Sequence, residues 1–120
     1  MKKTNPIQIS ALLLAAMTLA HAHAFLDHAD PRVGSTVTAP TQVKIWFTEE
    51  LEGAFSKIQV FDASGKEIDK KDSKVDASEK AIMTVSLPPL LPGTYKVHWT
   101  AVAVDTHHTG GNFEFTVKGS

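Results

Sequence analysis

Over residues 94–104 the side chains alternate, with Tyr95, Val97, Trp99 and Ala101 on one parity and Lys96, His98 and Thr100 on the other. A period of two marks a half-buried β-strand and excludes a helix, whose apolar positions recur every three or four residues. Residues 43–47, 58–61 and 82–87 are short β-branched or aromatic runs. Turn chemistry bounds them, Asp62-Ala63-Ser64-Gly65 after the second and Pro88-Pro89 after the third. Gly110-Gly111 precedes a last strand over 112–117, with Phe113, Phe115 and Val117 on one face. The piece 49–55 has room for one helical turn, and 66–80 reads as an exposed polar hairpin or loop. Strands at this spacing predict an all-β sandwich or barrel, with Trp46, Trp99, Phe113 and Phe115 in its core.

The chain opens in a different character. Lys2 and Lys3 precede an apolar run over 9–20, and small residues follow. That order is a secretory signal peptide, and the run is shorter than the roughly 20 apolar residues of a spanning helix. Ala20-His21-Ala22 fits the cleavage pattern and puts the cut after Ala22, leaving His23 first. A cut after Ala24 would leave Phe25 first, and a cut after Ala20 would leave His21. The expected organisation is a signal peptide over 1–22 and one exported, periplasmic domain over 23–120.

Loss of Lys2 and Lys3 leaves ten basic residues against 13 acidic ones, a formal charge of −3. Without a basic excess, neither nucleic acid nor an anionic membrane surface is an expected partner. Cysteine is absent, which excludes disulfides and thiolate metal sites. Of three methionines only Met83 lies beyond residue 22.

Histidine is the informative residue type. A cut before His23 leaves His23, His28, His98, His107 and His108. Asp105 and His107 lie two apart, so on extended backbone they face one side while His108 faces the other. A terminal His23 would offer both its α-amine and its imidazole. With His107 that makes three nitrogens, and the Asp105 carboxylate completes a square of N and O donors of the kind copper(II) prefers. The α-amine must lose its proton to bind, so affinity should fall in acid. A start at His21 would instead chelate through His21-Ala22-His23 without any fold.

These residues resemble a known family. The start His23-Ala24-Phe25-Leu26-Asp27-His28-Ala29-Asp30-Pro31 with Gly34 is similar to the opening of CopC-type copper resistance proteins and their YobA-like relatives. Residues 92–99, continuing through Asp105-Thr106-His107 to Gly110 or Gly111, resemble their closing motif, and Phe47-Thr48-Glu49 their central F-S-E segment. The resemblance implies a Greek-key β-barrel or immunoglobulin-like sandwich of about seven strands. It also implies a Cu(II) site at His23, Asp105 and His107, one ion per chain, and delivery to an inner-membrane transporter of the CopD type. The chain departs from members that carry a Met-rich Cu(I) loop, since one thioether makes no such site. It also has Phe25 where many relatives have a third-position histidine.

His28 and His98 are expected on the surface, with His108 a candidate helper at the ion. Glu49, Glu50 and Glu52 read as a solvated acidic edge. Two other functions compete with a copper carrier. One is a copper-dependent oxidative enzyme built on a terminal histidine, which needs an open metal position that Asp105 would fill. The other is a metal-free immunoglobulin-like interaction module.

Overall fold

The computed structural model describes residues 23–119. The expected signal peptide and the Ala20–Ala22 cleavage pattern lie outside the described residues. Eight strands are present among those described: β1 (Leu26–Asp30), β2 (Thr36–Val37), β3 (Gln42–Phe47), β4 (Lys57–Phe61), β5 (Lys74–Val75), β6 (Ile82–Ser86), β7 (Gly93–Val102) and β8 (His108–Val117). A short 3-10 turn, Gly53–Phe55, falls within the piece where one helical turn was expected. One sheet has the order β1-β3-β6-β5 and the other β2-β8-β7-β4. β2 joins β8 in parallel and every other strand pair is antiparallel. The two sheets do not close on each other, so the molecule is a β-sandwich and the barrel alternative is set aside.

Alternation builds the core. Val43, Ile45 and Phe47 of β3 face Val97, Trp99 and Ala101 of β7 and Phe113 and Phe115 of β8, all buried. Met83 in β6 is fully buried among them. Near the start of β7 the Tyr95 hydroxyl donates to the Leu91 carbonyl at 2.6 Å. This back-bond ties a strand start to its preceding loop, as tyrosine corners do in immunoglobulin-like sandwiches.

Three sequence expectations need correction. Trp46 is not in the core: β3 turns Val43, Ile45 and Phe47 inward, so parity puts Trp46 outside. There it stacks on His28, with ring centroids 4.2 Å apart, and carries Lys44 Nζ 4.9 Å over its ring. Gly110-Gly111 is not a turn before the last strand but part of β8, which begins at His108. Gly111 pairs with Trp99, and a Cβ there would stand 2.8 Å from the indole. The long strands therefore continue past the glycines because bare backbone makes room for a core tryptophan.

The third correction concerns residues 66–80, which are not merely solvated. Ser73 Oγ accepts the Ile58 amide at 2.8 Å, and the buried Asp69 accepts the Val60 amide at 2.8 Å. The Ile68 amide donates to the Val60 carbonyl at 2.8 Å. Polar groups of this segment thus occupy the free edge of β4, while Asp72 accepts the Ser86 amide at 2.8 Å. Among the described residues no buried side-chain polar atom lacks a partner.

Candidate metal centre

One pole of the sandwich gathers the N-terminal segment, the end of β3 and the β7–β8 hairpin. Residues 23–25 run ahead of β1 along the end of β3. The Thr48 amide donates to the Phe25 carbonyl at 2.9 Å, and the Phe25 amide donates to Thr48 Oγ1 at 3.0 Å. Ala24 is completely buried, so its methyl group plugs the sandwich end between the sheets. Its carbonyl accepts a hydrogen bond from the Thr109 hydroxyl of β8.

The hairpin that carries Asp105 and His107 is tight. The Thr106 amide donates to the Ala103 carbonyl at 2.8 Å, and the Ala103 amide donates to the His107 carbonyl at 3.0 Å. Thr106 has φ +75°, a left-handed conformation that is uncommon for a β-branched residue. Asp105 and His107 do meet, but the cause is this turn and not an extended segment. His107 Nδ1 lies 3.1 Å from Asp105 Oδ2, and the His107 amide donates to Asp105 Oδ1 at 3.2 Å.

His23 completes the group. Its ring lies against that of His107, with centroids 4.4 Å apart and planes tilted by 45°. The hydrogen bond from the His107 side chain is the main cause holding the Asp105 carboxyl below its ordinary value, and the His107 amide and the charge His23 can carry act the same way. The residues converge without forming a closed cage: among the described residues no three His, Asp or Glu side chains already stand in a metal-holding arrangement. The 3.1 Å spacing of Asp105 and His107 nonetheless suits two neighbouring donors on one ion. Ligand bonds of about 2.0–2.1 Å to a divalent first-row ion put cis donors about 3 Å apart.

The other histidines stand apart from this group. His28 points outward beside Asp27 and Trp46, with Nδ1 2.6 Å from Asp27 Oδ2. His98 is half-buried on β7, with Nδ1 2.9 Å from Asn112 Oδ1. His108 is exposed opposite Val102, and alternation turns it away from the face of Thr109. Glu49, Glu50 and Glu52 are exposed at the same pole as His23. Sequence reasoning missed Thr48 and Thr109, whose hydroxyls hold the N-terminal backbone. The available signal was Thr48 inside the Phe47-Thr48-Glu49 segment; nothing local distinguishes Thr109.

The fold and this pole define a β-sandwich domain with a histidine–aspartate cluster at one end. A family model described as CopC domain matches residues 26–118, and the chain belongs to that family. It is similar to Copper resistance protein C of Escherichia coli, 33% identical over 119 residues, covering 93% of this chain and 94% of that protein. It is also 34% identical over 98 residues to Copper transport protein CutJ of Bacillus subtilis (strain 168). That match covers 80% of this chain but spans only 18% of the relative's length. Among solved structures, CopC from Methylosinus trichosporium OB3b superposes with a TM-score of 0.75 at 34% identity, covering 80% of this chain and 94% of that one. Among the described residues no helix is long and apolar enough to cross a membrane.

Proposed function

We propose that this chain is exported, cleaved after Ala22, and binds one copper(II) ion as periplasmic cargo for buffering, storage or delivery. The α-amine and imidazole of His23, the imidazole of His107 and the carboxylate of Asp105 form the donor set. The observation that carries this reading is the convergence of His23 on the Asp105–His107 hairpin, with the two rings 4.4 Å apart. Binding exchanges the Asp105–His107 hydrogen bond for two metal bonds and requires deprotonated donors. Cu(II) suits this N and O set, whereas soft Cu(I) favours thioethers, and Met83 is fully buried.

The role is carriage and not catalysis, because four donors fill the square plane. The relationship to CutJ supports a membrane transporter of the CopD type as recipient, since the part similar to this chain is a minor fraction of a protein named for copper transport. The test is a chelator-competition titration of Cu(II) into the form beginning at His23 and into the same form with one Gly added in front. The expected result is tight binding of one ion by the first and a loss of orders of magnitude in the second. Equal affinities would place the ion elsewhere and defeat this reading.

A further inference from the structure

We infer that Thr48 and Thr109 are positioning residues that clamp the N-terminal segment and aim His23 at His107; this rests on the reading of His23 as the terminal donor. A chain terminus ordinarily frays, because nothing precedes it to hold it in place. Here the peptide group that joins Ala24 to Phe25 is held at both of its polar ends, each by a threonine hydroxyl. The Thr109 hydroxyl donates to the Ala24 carbonyl. Thr48 Oγ1 accepts the Phe25 amide at 3.0 Å and faces the His23 carbonyl at 3.5 Å. Thr48 follows β3 in one sheet and Thr109 lies in β8 of the other, so the terminus is stapled to both sheets.

The buried Ala24 methyl adds a third constraint. With it in place, His23 is attached directly to an anchored residue. A metal site gains affinity when its donors are held before the ion arrives, because binding then orders less of the chain. The two hydroxyls lie outside the donor set and act on it through backbone alone. Each is replaceable by a group of nearly the same shape without a hydrogen-bonding atom, so their effect is separable from packing.

The experiment uses the form beginning at His23 with Thr48→Val and Thr109→Val, and with Thr48→Ser and Thr109→Ser as rescue. Each is titrated with Cu(II) against a competing chelator, and its Cu(II) EPR spectrum is recorded. Exchange of the Phe25 amide is followed without metal, and melting of the metal-free proteins shows that the fold stands. The valine variants should bind about tenfold or more weakly, with altered copper hyperfine splitting. The Phe25 amide should exchange faster in Thr48→Val, and serine should restore all three readouts.

Valine variants with the parent's affinity and spectrum would overturn the inference while leaving copper binding intact. A parent unaffected by an added N-terminal Gly defeats the donor reading instead, and Phe25 exchange then still decides whether the clamp exists. Should Thr109→Val fail to fold, Thr48→Val at the exposed rim carries the test.

Discussion

The indole of Trp99 lies against the bare Cα of Gly111, where a Cβ would stand 2.8 Å from ring carbon Cζ2. A Cβ at Gly110 would also be tight, 3.2 Å from the Trp99 carbonyl oxygen, but the clash at Gly111 is with a rigid ring held edge-on by Phe47 at 5.2 Å. Gly111→Ala should therefore destabilise the domain by about 1–3 kcal/mol, as overpacking does. A thermal melt reads this directly, and an unchanged midpoint would mean that the indole has room to move.

The two tryptophans should part company on truncation. Trp99 is buried between the sheets, and Trp99→Ala is expected to cost about 3–5 kcal/mol. Trp46 is half-buried on the outer face, stacked on His28, under Lys44 and opposite Ile82, so Trp46→Ala should cost less, about 1–2 kcal/mol. Urea titrations of both variants make the comparison; similar losses would contradict the outward placement of Trp46.

Histidine substitutions should separate sharply by position. In the form beginning at His23, His107→Ala should weaken Cu(II) at least about a hundredfold, a loss near 2.7 kcal/mol. His28→Ala and His98→Ala should stay within about twofold, because those rings are engaged with Trp46 and Asn112. Chelator competition on the three variants is decisive. Equal losses would point to copper scattered over surface imidazoles.

Acid should loosen the turns through three surface carboxylates. The Ser64 side chain bonds Asp62, the Ser86 residue bonds Asp72, and the Glu79 amide bonds Asp76, and each bond lowers that carboxyl below its ordinary value. A folded-state value below the unfolded one gives stability that is present above about pH 4 and lost as pH falls through the folded value. Asp72→Asn and Asp76→Asn keep an acceptor oxygen but no titration. Their urea midpoints should fall less steeply than the parent's between about pH 5 and 2.5. Parallel curves would assign the acid sensitivity to other groups.

What the sequence disclosed depended on how locally each feature is written. The inward residues of β7 and the core faces of β3 and β8 follow from alternation, which needs no partner to be seen. Trp46 was misplaced because its size argued for the core, although the parity of Val43, Ile45 and Phe47 already turned it out. β1 carries Asp27 and His28 on an edge with a register shift between Leu26 and His28, so it shows no clean alternation to read. The residues of the proposed metal site, His23, Asp105 and His107, were legible as types, and their resemblance to a family joined them. Thr109 was not, since a hydroxyl on a strand acquires meaning only when Ala24, 85 residues away, is delivered to it.

The covered edge of β4 also bears on how these molecules tolerate one another. A sheet margin with free amides is a template on which a stray strand can dock and fibrils can grow. Here Ser73 and Asp69 hold the Ile58 and Val60 amides, and the Val60 carbonyl is already taken by Ile68. A neighbour arriving half-folded finds both outward amides and the Val60 carbonyl of this margin already engaged. Crowding many copies together should therefore not seed ordered aggregates from β4.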